Sequence, residues 1–210
     1  MQWNIKDNTI YISGKGYMPD VNFEEVDKWK EGYFTKVVIS EGITHIGDYT
    51  FFALEDLENV VLPKSLNSIG NSAFECCSSL KDITIPNNVT SIGLYAFEGC
   101  RHLKDITIPK SVTHIEECTF VYCERLESIT MPDSVTHIGK SAFEGCKRLK
   151  DITIPDSVTS IGNYAFWNCD DLTIHTPKGS TAHRYAVDNN INVNIIDQPK
   201  KENKDKAYER

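Results

Sequence analysis

Seven cysteines are the residues of this sequence best equipped for chemistry, whether as disulfides, zinc ligands or nucleophilic thiols. Five of them, Cys77, Cys100, Cys123, Cys146 and Cys169, recur at intervals of 23 residues. Such spacing puts them in one column of a stack, with neighbours about 4.8 Å apart if the coils pair as strands. Their Cβ vectors then run parallel, whereas a disulfide needs them to converge. Leu54 fills the same column in the first coil, which suits a site for a small buried hydrophobe. The column is expected to be reduced, buried packing. Cys76 and Cys118 lie off it and are the better candidates for a reactive thiol.

His114 and His137 fall in adjacent coils of a second column and could approach to about 5 Å. His45, Ser68, Ser91 and Ser160 share that column, so an exposed polar position is the plainer reading and no metal is expected. No Gly-x-Ser-x-Gly, phosphate-loop, dinucleotide or zinc-spaced motif is present. No catalytic residue, cofactor or enzymatic activity is therefore expected.

Three surfaces remain as binding candidates. Thr84, Thr107, Thr130 and Thr153 form a hydroxyl column beside Asp82, Asp105, Ser128 and Asp151. Threonine is a good strand former with a polar group for solvent, and the same column could hydrogen-bond a glycan or peptide. Arg101, His102, Arg125, Lys147 and Arg148 make a basic stripe suited to anionic or sulfated glycans, interrupted by Glu124 and Glu127. Phe52, Val121, Tyr122 and Trp167 stand where other coils mostly carry glutamate, glycine or another small residue. Large apolar groups at exposed repeat positions are typical partner anchors, although filling a gap between loops explains them nearly as well.

The elements that position these residues follow from one repeat. Ile46, Ile69, Ile92, Ile138 and Ile161 precede glycine, while Ile115 precedes Glu116. Five residues after each isoleucine comes Phe51, Phe74, Phe97, Phe120, Phe143 or Phe166. In the coil from Leu80, Ile83 and Ile85 alternate with Asp82 and Thr84 as in a strand. Pro86 ends it because it has no amide hydrogen. Val89 and Ile92 form a second extended piece, Gly93 permits a turn that a side chain would strain, and Ala96-Phe97 form a short helical or 3₁₀ turn closed by Cys100. Leu80, Ile83, Ile85, Val89, Ile92, Ala96, Phe97 and Cys100 point inward. A unit of this length cannot bury its apolar face alone, so the units must stack.

The chain of 210 residues is 40% hydrophobic and carries a net charge of -8, which disfavours non-specific binding to nucleic acid or anionic lipid. It has no apolar run long enough to span a membrane and no visible signal peptide. Asp7-Asn8 sits between alternating Trp3, Ile5, Ile10 and Ile12, which predicts a hairpin. Phe23, Val26 and Trp29 predict a short helix over the first coil. Ser180 is placed to cap a helix through Tyr185 and Ala186, with Ile191, Val193 and Ile195 as a last strand. Capping segments are thus expected at 1–35 and 178–197, repeats at 36–177, and a disordered charged tail at 198–210.

Leu-x-x-Ile-x-Ile-Pro, as in Leu149 to Pro155, resembles the leucine-rich repeat strand motif. Its Val-Thr-x-Ile-Gly-x-x-Ala-Phe-x-x-Cys continuation resembles the BspA-like, or Treponema pallidum-type, subclass, without the regular asparagine ladder of other leucine-rich repeats. The resemblance implies an α/β, right-handed solenoid with a parallel concave sheet. It also implies a non-catalytic binding module, monomeric, adhering to a protein or glycan partner at a bacterial or protist cell surface or after secretion. The alternative is an intracellular or secreted scaffold that holds a protein partner.

Overall fold

The computed structural model describes residues 1–21 and 32–197. The helix expected at Phe23, Val26 and Trp29 and the tail from Gln198 lie outside them. The chain opens with β1 (Gln2–Lys6), β2 (Thr9–Ser13), β3 (Gly16–Tyr17), β4 (Lys36–Ile39) and β5 (Ile43–Ile46). Two short strands per coil follow: β6 (Asn59–Val61) and β7 (Ser68–Ile69), β8 (Asp82–Ile83) and β9 (Ser91–Ile92), β10 (Asp105–Thr107) and β11 (His114–Ile115). Then come β12 (Ser128–Thr130), β13 (His137–Ile138), β14 (Asp151–Thr153), β15 (Ser160–Ile161) and β16 (Thr173–Thr176). Helix α1 (Thr181–Asp188) and β17 (Asn192–Ile195) close the described chain.

β1 and β2 form an antiparallel hairpin around Asp7-Asn8, both of whose residues are left-handed, at φ 49 and 57°, as a tight primed turn requires. From β2 onward every pairing is parallel, and the structure is a solenoid. Register advances by one repeat from Lys36 to Asn59, Asp82, Asp105 and Ser128. The last steps are shorter, Asp151 pairing with Thr173 and Thr173 with Asn192. Ser180 caps α1, its hydroxyl accepting from the His183 amide at 3.0 Å.

The core is one column per inward position. The coil from Leu80 buries all eight inward residues, none more than 7% exposed. Phenylalanines 51, 74, 97, 120, 143 and 166 stack face to face at 5.2 to 5.6 Å. Each thiol of the cysteine column donates to the carbonyl of the phenylalanine one coil back, from Cys77 to Phe51 at 3.1 Å through Cys169 to Phe143. Cys77, Cys100, Cys123 and Cys146 are fully buried and all seven cysteines are free. Burial drives the four buried thiols far above their ordinary pKa, and pushes Cys169 up to about 12.

Glycine after the repeat isoleucine is required by closeness, not by φ. A Cβ on Gly93 would lie 2.6 Å from the Asn71 backbone nitrogen, and one on Gly139 2.5 Å from that of Glu117. Glu116 puts a side chain where these coils touch, and there the second sheet splits into β3-β5-β7-β9 and β11-β13-β15. Gly93, Gly139 and Gly162 donate to Ile69, Ile115 and Ile138; among the described residues no such bond joins Glu116 to Ile92. The Phe97–Phe120 spacing, 5.6 Å, is the widest of the five. Glu116→Gly is expected to restore two lateral hydrogen bonds, from the amide of residue 116 to Ile92 and from that of Thr113 to Thr90, the counterpart of Thr136 to Thr113. At about 1 kcal/mol each, less the chain entropy of a new glycine, the net gain is about 1 kcal/mol, read by urea denaturation. A loss of stability would show that the side chain is not what parts the strands.

Candidate functional site

The segment around each phenylalanine was expected as a helical or 3₁₀ turn; it is instead a run of turns in which left-handed residues flank the ring. Tyr49 and Ala53, Ser72 and Cys76, Tyr95 and Gly99, Cys118 and Tyr122, Ser141 and Gly145, and Tyr164 and Asn168 all have positive φ. Most are not glycine, and each such residue costs on the order of 1 kcal/mol. The alternation turns every second peptide the same way. Ser72, Phe74 and Cys76 amides donate forward to Leu94, Ala96 and Glu98, while Asn71, Ala73 and Glu75 carbonyls accept from Tyr49, Phe51 and Ala53 behind. This turn ladder runs unbroken from Tyr49 to Asn163, Ala165 and Trp167, whose carbonyls accept from Ser141, Phe143 and Gly145, and its hydrogen bonds offset the backbone strain.

The ladder displays a row of aromatic side chains. Tyr122, Tyr164 and Trp167 are 45, 56 and 57% exposed, and Phe52 and Tyr95 are half-buried. Tyr49 meets Phe52 edge-on at 6.0 Å in the first coil, and Tyr164 meets Trp167 edge-on at 5.9 Å in the last. Tyr122 lies over the next coil, because a Cβ on Gly145 would be 2.6 Å from its ring. Glu75, Glu98 and Glu144 alternate with Phe52, Val121 and Trp167 in one column. Partial burial, with Glu75 beside it, raises the Glu98 carboxyl above its ordinary value. The face is therefore aromatic with an acidic edge.

Phe52, Tyr122 and Trp167 thus lie along the same run of turns, in the first, fourth and sixth of its coils, without touching one another. Val121 does not join them: it is 5% exposed, because a short branched side chain cannot stand clear of the turn as Trp167 does in the same column. Tyr49, Tyr95 and Tyr164 belong to the face and went unrecognised in the sequence, although they too are separated by multiples of the repeat.

The basic stripe borders this face with part of its charge engaged. Lys147 pairs with Glu124 at 3.5 Å and Arg148 with Glu127 at 3.1 Å. His102 Nδ1 lies 2.7 Å from the Ser78 carbonyl, which makes that nitrogen the protonated one. Arg101 and Arg125 are exposed.

The acid and hydroxyl columns run along the main sheet and on into β14 of the separate β14-β16-β17 sheet, away from the aromatic row. Asp82, Thr84, Asp105, Thr107, Thr130, Asp151 and Thr153 are all exposed. In that separate sheet Asp151 Oδ1 lies 2.7 Å from His175 Nε2, and His175 Nδ1 lies 2.9 Å from the Asn194 amide nitrogen, a chain the sequence did not reveal. On the opposite sheet His114 and His137 stack at 4.5 Å, each ring within 2.8 Å of the preceding threonine hydroxyl. Among the described residues no three metal-ligating side chains converge, and no helix is long and apolar enough to cross a membrane.

The BspA type leucine rich repeat region matches the chain in six copies over residues 28–150 and 113–206. A leucine rich cell surface protein from Faecalibacterium prausnitzii is similar at 32% identity and a TM-score of 0.69, over 83% of this chain and 52% of its own. A leucine-rich repeat protein from Bacteroides ovatus is similar at 26% identity and a TM-score of 0.68, over 83% of this chain and 53% of its own. The chain spans about half the length of each. A search of curated proteins returns no match. The match covers the same coils that carry the phenylalanine spine, the cysteine column and the turn ladder, and the chain belongs to the BspA-type leucine-rich repeat family.

Proposed function

We propose that the chain is a non-catalytic adhesive module of a surface or secreted protein and that it holds a protein partner on its turn face. The observation that carries this reading is the row of exposed aromatic rings on a rigid, hydrogen-bonded ladder. Rings fixed in this way lose little freedom on binding, and tyrosine and tryptophan are the usual centres of protein interfaces. The carboxylates of Glu75, Glu98 and Glu144 beside them favour a partner with basic side chains, through ion pairs and cation–π contacts. The similarity to a cell surface protein supports the extracellular setting over an intracellular scaffold.

The test is a binding screen of the 210-residue chain against immobilised extracellular-matrix proteins. Tyr95→Ala with Tyr122→Ala is expected to weaken the contact by about a thousandfold, two tyrosine anchors each contributing about 2 kcal/mol. If no matrix protein binds, or the double variant binds as the native chain does, the reading fails.

A further inference from the structure

The turn ladder has a polarity, and it ends over a cavity. In each coil before the last, amides at the positions of Tyr164, Phe166 and Asn168 donate to the next coil, as Ser141, Phe143 and Gly145 do. In the last coil α1 and its loop replace that partner. Tyr185 of α1 packs edge-on against Phe166 at 6.0 Å. Its hydroxyl meets the backbone amides of Phe166 and Ala165, which offset part of the upward shift that burial imposes on its pKa. For the amides of Tyr164 and Asn168 no acceptor is present among the described residues. Both border a cavity of about 470 Å³, lined also by Trp167, Asp170, Asn190 and Asn192, a volume in the range of small-ligand sites.

We infer that this end cavity is a binding site for a neutral saccharide, at the end of the turn face and sharing Tyr164 and Trp167 with the aromatic row. The two outward amides call for acceptors and repel cations. The Asp170 carboxylate beside them repels anions and calls for a donor. Hydroxyl groups satisfy both, since each accepts and donates. The exposed Trp167 and Tyr164 rings offer flat apolar surfaces at the rim, which match the C–H face of a pyranose ring. An extended peptide fits less well. It would need three consecutive rungs as in the coils, and the Tyr185 hydroxyl and ring fill the middle one.

The experiment titrates the 210-residue chain with the methyl β-glycosides of glucose, galactose and N-acetylglucosamine, and with cellobiose. Binding is read by saturation-transfer NMR on the sugars and by tryptophan emission. At least one sugar is expected to bind with a Kd of about 1 mM or tighter. Trp167→Ala should weaken it at least tenfold and Trp167→Phe, which keeps an aromatic face, should restore most of the loss, with thermal unfolding showing that each variant folds. Tyr122→Ala, outside the cavity, should leave sugar binding unchanged while weakening the protein contact, so failure of one reading is distinguishable from failure of the other. The inference is overturned if none of the sugars binds at about ten times that concentration, or if Trp167→Ala binds sugar as the native chain does. Binding of an extended peptide, and of no sugar, overturns it in favour of strand-like pairing.

Discussion

Above about pH 9 the protein is expected to lose stability steeply as pH rises, through four residues, Cys77, Cys100, Cys123 and Cys146. Each thiol is fully buried with its hydrogen directed at a phenylalanine carbonyl, and burial holds each pKa far above the ordinary value. The unfolded chain releases these protons near pH 8.5–9 and the folded chain does not. The contribution is therefore fully present below the unfolded pKa and lost as pH rises above it. Each thiol that stays protonated in the folded chain steepens the loss by up to about 1.4 kcal/mol per pH unit. A typical domain is stable by only about 5–15 kcal/mol, so four such thiols together should make the chain unfold cooperatively in mild alkali. Urea titrations at pH 8, 9 and 10 measure the slope, and Cys100→Ala should lower it by one proton while lysine and tyrosine titrations stay constant. Native thiol titration at pH 8 should leave the four unreactive and denaturation should release them. An unchanged slope in Cys100→Ala would rule the mechanism out.

Phe97→Ala is expected to cost about 3–5 kcal/mol. Its ring is fully buried and stacks on Phe74 at 5.4 Å and Phe120 at 5.6 Å, within 6° of parallel. Truncation opens a cavity that its neighbours cannot fill, since the ladder fixes their backbones. Phe97→Leu, which keeps most of the volume, should cost markedly less. Urea denaturation of both variants separates the cavity from the loss of ring stacking: equal losses would mean that stacking, not volume, holds the spine together.

Much of this architecture was legible because a fixed period turns sequence position into spatial column. The inward set from Leu80 to Cys100, the buried thiols and the adjacency of His114 and His137 all followed from spacing alone. What the period hid was conformation and phase. Nothing in Tyr95 or Cys118 announces a left-handed residue, since its strain is offset by a bond to another coil. Val121 was misjudged because equivalence of position does not set how far a side chain reaches. Glycine at 93 was tied to turn strain, whereas the nearness of Asn71 is what demands it. The Asp151–His175–Asn194 chain escaped notice because the register shortens beyond Asp151, so a search in steps of 23 passes His175 by.

The interruptions between coils have a mechanical consequence. The second sheet parts between β9 and β11, and the main sheet parts between β12 and β14, so these two junctions, with one intact junction between them, each rely on fewer lateral bonds. The turn ladder and the cysteine thiol bonds cross both. Bonds between coils run along the stack, and tension applied between its ends loads them directly. Under such tension the solenoid would yield first in its middle, near Glu116, and lengthen there, while the coils bearing Phe52 and Trp167 stay folded at either side.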